Sequence, residues 1–371
     1  MIPVAIAGGG TGGHLFPGLA VAEELARRGA SVSWIGARRG IEATRVPDAG
    51  FPVHLLPVTG AVGRSPAARL GAAFRTALAL GAAYSLLQRL DIRAVLAVGG
   101  YAAFPGGAAA RCSRIPLVVQ EQNARPGLTN RVLAPWATVV ACGFSEAAAA
   151  LPGAQVEWTG NPVRRPFFLV GEPPPGPTLL LVLGGSQGSA FLNRLLPEAL
   201  ASLPARGRPQ VLHQAGRAWV DQVALEYGAV GVEARVVPFL EEPSEALSKA
   251  RLVVARSGAL TVSELAAAGR PAILVPFAAA AHDHQTANAG VLAGTGAAVV
   301  LPESQATPGR LASLLAEMLG DPAALQARGT LGRRLVPEGA AVRIAELVLG
   351  AARGESLAEA TRPVRAPGGV R

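Results

Sequence analysis

The chain has 371 residues, half of them apolar but only 5% aromatic, with 34 basic against 25 acidic side chains for a net charge of +9. That length suits two domains, and so apolar a composition with so little charge excludes a disordered chain. The basic excess, nearly all arginine with Lys249 the one lysine, favours an anionic partner such as a phosphate, a nucleic acid or a lipid head-group surface, although a chain rich in Ala, Arg, Pro and Gly reaches the same balance with no partner.

The N-terminal MIPVAIAGGG has no basic leader and enters a strand directly, so no signal peptide is expected. Short apolar runs then alternate with helical patterns. Val4 to Ala7 leads to a helix from Leu15 to Arg28, and Val32 to Ile35 and Val53 to Leu56 precede a helical region from Pro66 to Leu90. The uninterrupted apolar part of that region, 76–87, is too short to span a bilayer. Val95 to Val98, a small-residue helix from Ala102, Pro116 to Gln120, a helix from Pro126 and Val139 to Cys142 complete the series. Such βα alternation predicts a parallel sheet covered on both faces. Cys112 and Cys142 are too few for a disulfide framework and are expected to be buried small side chains in a reducing compartment.

GNPVRRPFFLVGEPPPGP, 160–177, carries too many prolines for a helix or a central strand and is expected to be the linker. A second series follows, through Leu179 to Leu183, Gln210 to His213, Arg235 to Pro238, Leu252 to Val254, Ala272 to Val275 and Ala297 to Leu301. AIAGGGTGGH at Ala5 and LVLGGSQGS at Leu181 both run a first strand into a glycine loop that opens a helix. The expected fold class is α/β, with two doubly wound, Rossmann-like domains facing across a cleft and ligands at the carboxyl ends of their strands. The boundaries are 1–161, a linker at 162–177, 178–337, a helix at 338–353 returning to the first domain, and a loose tail at 354–371.

Glycines 8, 10 and 13 satisfy G-x-G-x-x-G, but the strand Val32 to Ile35 ends in Gly36, Ala37, Arg38 and Arg39 rather than an acidic residue, and Glu42 arrives late for a ribose. The alternative is a set of amides at a helix N-terminus that favours an anion, with His14 beside them placed to accept a proton. Ser186 and Gln187 in the second loop supply neutral donors to a phosphate. RSGALTVSELAAAGRP, Arg256 to Pro271, is the most informative segment. Arg256 ends a strand, Gly258 lets the backbone approach closely, and the amides of Ala259, Leu260 and Thr261 open a helix, which together make a diphosphate seat with a fixed cation beside it. Glu264, on the first turns, can accept from two vicinal hydroxyls of a ribose; the competing reading is a helix capped by Ser257 with Glu264 on the dipole. In HDHQTANAG, Gln285 and Asn288 share a helical face suited to sugar hydroxyls. His282, Asp283 and His284 point apart, and no Asp-x-Asp pair is present, so no metal and no cofactor is expected.

In order along the chain, GGGTGGH, GGYAAFPGG, QEQNARPGLTNR, TGNPVR, GGSQGS, RSGALTVSELAAAGRP and DHQTANA resemble the MurG family, the transferases that add N-acetylglucosamine from UDP-N-acetylglucosamine to the lipid-linked precursor of peptidoglycan. The resemblance runs from about residue 4 to 350 and implies a GT-B fold with the donor in the C-terminal domain. It implies that Arg164 and the backbone of Leu240 meet the uracil and Glu264 the ribose. Ser186, Arg256, Ala259 and Leu260 would surround the diphosphate, and Asn123, Gln285 and Asn288 the N-acetylglucosamine. Thr11, Gly12 and Gly13 would line the donor side of the cleft; His14, Tyr101, Glu121 and Asn130 would stand toward the acceptor. The partners implied are UDP-N-acetylglucosamine, undecaprenyl-pyrophosphoryl-N-acetylmuramyl-pentapeptide and the anionic inner leaflet, at the cytoplasmic face of the inner membrane, with no nucleic acid. Gln120 stands where the family commonly has histidine, which concentrates the general-base role on His14, with Glu121 the second candidate. Leu70, Phe74 and Leu78, with Arg64, Arg69, Arg75, Arg89 and Arg93 nearby, describe either a membrane-facing helix or a buried one. A UDP-sugar epimerase of the same architecture and a basic nucleic-acid-binding protein are the rival readings.

Overall fold

The structure, a computed structural model, describes residues 1–58, 66–280 and 283–355, without the side chains of 66–74. Its strands are β1 (Ile2–Gly8), β2 (Ala30–Ala37), β3 (Val53–Leu56), β4 (Ala94–Gly99), β5 (Leu117–Glu121), β6 (Val139–Cys142), β7 (Val156–Trp158), β8 (Leu179–Leu183), β9 (Gln210–Gln214), β10 (Ala234–Val237), β11 (Ala250–Ala255), β12 (Ala272–Leu274) and β13 (Ala298–Val300). They form a seven-stranded sheet in the order β3-β2-β1-β4-β5-β6-β7 and a six-stranded sheet in the order β10-β9-β8-β11-β12-β13. Every recorded pairing is parallel. The strand order reverses between β1 and β4 and again between β8 and β11. At each switch the loops diverge and open a crevice beyond the strand ends.

Both sheets are buried on both faces, which is why strands such as LLLVL read as unbroken apolar runs rather than alternating ones. Small helical residues let the layers close tightly. A Cβ on Gly106 would stand 2.5 Å from that of Ala7, so only glycine lets the helix Ala103–Cys112 lie directly on β1. The last helix, Ala340–Arg353, packs Ile344, Ala345, Leu347 and Val348 into the core of the first sheet. It is pinned there by Arg343 on Glu157 at 2.6 Å and by Arg28 on Glu346 at 3.0 Å.

Two expectations are corrected. The proline-rich stretch contains a short helix, Arg165–Phe168, because Pro166 sits in its first turn, where the missing N–H costs nothing. Its Phe167 is fully buried against the second domain, a burial worth about 2 kcal/mol. Cys112 is exposed at the end of its helix, and only Cys142 is buried, where desolvation pushes its thiol up to about 12.

Candidate active site

At the carboxyl end of β1 the chain turns through Gly8, Gly9 and Gly10, all at positive φ, into the helix Gly12–Arg27. The space beneath this loop is filled by the buried Glu42, whose carboxylate accepts from the amides of Gly10 and Ala37, each at 2.8 Å. A Cβ on Gly9 or Gly40 would collide with that carboxylate, and one on Gly36 with the Glu42 Cγ. Glu42 therefore reaches no ribose, and the first loop already holds an anion of its own. Of the loop amides Glu42 takes that of Gly10, and no side chain caps the helix start after Thr11, so an anion there would meet uncapped amides and, across a thin layer of backbone, the Glu42 carboxylate.

His14 stands on the first turn of the helix, half-buried. Its Nδ1 lies 3.0 Å from the hydroxyl oxygen of Thr11. Gly99 and Gly100, at the end of β4 and both at positive φ, clear the room for the imidazole: a Cβ at Gly99 would come within 2.7 Å of His14 Cδ2. Tyr101 packs over Gly10 from the same turn. Desolvation, reinforced by His284 facing it from the second domain, lowers the pKa of His14 to about 4, so the ring is neutral at physiological pH. When Nδ1–H donates to Thr11, the lone pair on Nε2 is the one left for a substrate proton.

Glu121 is arranged differently from the expectation of an open base. It is 1% exposed, and its carboxylate accepts from the amide and side chain of Asn123 (2.8 and 3.0 Å), the amide of Gly127 (3.0 Å) and the side chain of Asn130 (2.9 Å). Burial pushes its pKa up against these four donors. Each oxygen holds two donors, so the carboxylate organises the 121–130 loop. Asn130 is likewise turned inward, buried, with its amide on Gln120 and Glu121. Gln120 is fully buried; it donates to Asn161 and accepts from Gln122, and Asn161 donates in turn to Ser263 at 3.0 Å. An amide that donates and accepts at once suits this network, which ties the first domain to the helix Ala259–Ala268.

In the second domain Gly184 to Gly188 bends against Ala215 and Gly216 so closely that a Cβ on Gly188 would overlap the Ala215 carbonyl. Ser186 and Gln187 are exposed at its tip. Gln214, which no motif singles out, braces the loop by donating to the Gly185 carbonyl at 2.8 Å and accepting from the Leu240 amide at 3.3 Å. That amide is therefore engaged within the domain, and a nucleobase at Leu240 has to displace Gln214 or use the carbonyl. Phe239 beside it is 42% exposed, a flat apolar face also missed by the sequence reading.

Gly258, in extended backbone, precedes the helix Ala259–Ala268, and no side chain caps it. Ser257 is turned away, donating to the Gln285 carbonyl at 2.8 Å, which removes the reading of Ser257 as a cap. The first amides of this helix thus face the crevice between β8 and β11 with no partner inside the helix. Glu264, one turn on, is half-buried; desolvation raises its pKa to about 7, against the pull of the exposed Arg164. These two side chains are brought together.

Arg256 is not free beside the seat. It is 9% exposed; Nε donates to Ser189 at 2.9 Å, Nη1 to the carbonyls of Val275 and Pro276 at 3.1 and 3.3 Å, and Nη2 pairs with Glu303 at 2.5 Å. Its Cζ lies over the rings of Phe191 and Phe277, 5.5 and 5.4 Å from their centroids. The expectation of a fixed cation aimed at a diphosphate is corrected by this saturation. Asn123 and Asn288 meet across the cleft: Asn288 donates to Asn123 at 3.1 Å and accepts from the Ala124 amide at 2.8 Å. Gln285 accepts from the Phe277 amide at 3.0 Å.

Among the described residues no group of three His, Cys, Asp or Glu side chains comes together as a metal site; His282 lies outside them. Also among them, no helix is long and apolar enough to cross a membrane. Of the proposed membrane-facing residues, Arg64 and the side chains of Arg69, Leu70 and Phe74 lie outside the described set. Leu78 is 54% exposed, on the face opposite the buried Ala79, Ala83 and Leu87.

The N-terminal domain model of glycosyltransferase family 28 matches residues 4–142, and the C-terminal domain model of that family matches 179–332. The UDP-N-acetylglucosamine--N-acetylmuramyl-(pentapeptide) pyrophosphoryl-undecaprenol N-acetylglucosamine transferase of Stutzerimonas stutzeri is 44% identical over 95% of this chain and 99% of its own length. The chain belongs to the MurG family of glycosyltransferases. The similarly named transferase of Azotobacter vinelandii is 45% identical over the same shares of each chain. The crystal structure of Acinetobacter baumannii MurG superposes with a TM-score of 0.80 at 33% identity, covering 94% of this chain and 99% of that one. More distant structures, such as an S. aureus MnaA-UDP complex at 12% identity and TM-score 0.67, share the GT-B fold alone. Membership of the MurG family accounts for two Rossmann-like sheets, each presenting a glycine loop to a shared cleft.

Proposed function

We propose that the chain transfers N-acetylglucosamine from UDP-N-acetylglucosamine to the 4-hydroxyl of lipid-linked N-acetylmuramyl-pentapeptide, with inversion at the anomeric carbon. The observation that carries this reading is the pairing of an unpartnered helix start at Ala259 and Leu260 with a neutral His14 on the opposite wall of the cleft. On this reading the helix start is the leaving-group seat and His14 the base, on opposite walls of the cleft.

The donor lies with its uracil at Leu240 and Arg164, its ribose on Glu264, and its diphosphate on the amides of Ala259 and Leu260 with Ser186. Asn123, Gln285 and Asn288 exchange their present hydrogen bonds for sugar hydroxyls. The acceptor hydroxyl approaches between His14 and Tyr101, with Thr11, Gly12 and Gly13 lining the donor side of the cleft. As its oxygen bonds to the anomeric carbon its proton becomes strongly acidic, so a weak base such as His14 suffices to take it, while UDP departs with its charge spread over N–H donors. Glu121 and Asn130 hold the loop that shapes this wall rather than touching the reacting atoms. The exposed face around Leu78, with Arg75 and Arg89 on the same helix, rests on an anionic membrane surface and keeps the protein peripheral to the cytoplasmic face.

UDP release from UDP-N-acetylglucosamine, measured in vesicles carrying a lipid I analogue with and without anionic lipid, tests both parts. Release is expected only with the acceptor present, and faster on anionic vesicles. Acceptor-independent conversion of the sugar would instead favour an epimerase, and a rate indifferent to lipid charge would reject the membrane surface.

A further inference from the structure

Arg256 occupies an unusual junction. It follows β11, and its guanidinium reaches the exit of the β8 loop at Ser189, the carbonyls of Val275 and Pro276 just past β12, and Glu303 in the turn after β13. Four of its five N–H directions are committed to protein oxygens, and its Cζ lies over the rings of Phe191 and Phe277. What it grips matters for the donor. Ser189 is the N-cap of the helix Ala190–Ala201 and accepts from Leu192, so it fixes where the Gly184 to Gly188 loop ends. The gripped carbonyls of Val275 and Pro276 lead into Phe277, whose amide holds the side chain of Gln285.

We infer that Arg256 and Glu303 form a positioning clamp that sets the distance between the phosphate loop and the sugar-recognising segment, and that Glu303, not the diphosphate, is the counter-charge of Arg256. The inference rests on the donor placement proposed above. It assigns Glu303 a part in donor recognition although its carboxylate touches no donor atom. Bidentate pairing of a guanidinium with a phosphate needs two parallel N–H bonds on one edge, and each such edge of Arg256 is already in use.

Glu303→Gln separates the clamp from a direct phosphate contact because the two give opposite signs. The swap is isosteric and removes one negative charge. A guanidinium that touched the diphosphate would be released toward it, and UDP would bind more tightly. A clamp would loosen. The dissociation constant for UDP-N-acetylglucosamine is then expected to rise about tenfold, with that for UDP rising less because only the sugar depends on Gln285. Both are to be read by calorimetry on protein whose near-UV circular dichroism matches the parent. Arg256→Lys provides the second arm: it keeps the charge and loses the fork, so the clamp predicts weakened binding and a charge contact predicts retained binding. Tighter or unchanged donor binding in Glu303→Gln, or retained binding in Arg256→Lys, would overturn the inference. Failure of the parent chain itself to bind UDP would instead strike the functional reading on which it rests.

Discussion

Replacing His14 with alanine is expected to lower kcat by about a thousandfold while leaving the dissociation constant for UDP within about twofold of its present value. The reason lies in which wall of the cleft each group occupies. His14 is on the first domain, held by Thr11 and accommodated by the bare backbone of Gly99. The nucleotide seat is on the second domain, whereas the His14 ring hydrogen-bonds to Thr11 within its own domain. Removing the imidazole deletes a proton acceptor that works only while the acceptor oxygen is bonding to carbon, so the loss falls on the transition state and not on the ground-state donor complex. The pH profile carries a sign. With its pKa lowered to about 4, His14 is in its neutral, competent form throughout the neutral range. At saturating donor, with Glu264 already holding the ribose, the kcat of the parent should therefore stay level from about pH 8 to about pH 5 and fall only as the ring gains a proton below that. His14→Ala should lose that acid limb. Equal losses in kcat and UDP affinity, or an acid limb that survives the substitution, would remove His14 from the base role.

Ala259→Pro is the second substitution with a large expected effect. Position 259 is the first helical residue, where proline's φ and missing N–H are tolerated, and Gly258 before it already has the extended backbone that a following proline demands (φ −60°, ψ 145°). The change therefore deletes one amide donor from the seat while leaving the helix able to form. If that amide takes up charge on the departing diphosphate, kcat/KM for UDP-N-acetylglucosamine should fall about a hundredfold, on the scale known for removal of one preorganised donor. Ala259→Gly keeps the amide and costs at most about 1 kcal/mol in helix stability, so it should stay near the parent. A proline variant as active as the glycine variant would show that the diphosphate lies elsewhere. Turnover should be measured with a chelator present, which tests separately the expectation that the reaction proceeds without metal.

Much of this arrangement could be read from the sequence because it is local. A strand that runs into glycines and then into a helix is a short-range pattern, and the two copies at Ala5 and Leu181 predicted both sheets and the edge at which their loops open. The helix start at Gly258 was legible for the same reason. What stayed hidden depends on partners far apart in sequence. Glu42 meets the Gly10 amide from 32 residues away, and nothing in the spacing of the first loop announces that a carboxylate fills it. Arg256 reads as an available cation until Glu303 is found beside it. Glu121 reads as an available carboxylate until the turn that follows folds back and places the donors of Asn123, Gly127 and Asn130 on it. Gln214 could not have been picked out, since a glutamine at the end of a strand is ordinary until the loops on either side of it are known to need a brace. Each of these side chains hydrogen-bonds to protein backbone, which is what most buried polar groups do.

A crystal structure of the chain with UDP-N-acetylglucosamine tests the donor assignment most directly. The diphosphate should lie within hydrogen-bond distance of the amides of Ala259 and Leu260, the ribose on Glu264, the sugar between Asn123 and Asn288, and Arg256 still paired with Glu303. A diphosphate resting on Gly8 to Gly13, or one that has drawn Arg256 away from Glu303 to meet it, would contradict that assignment.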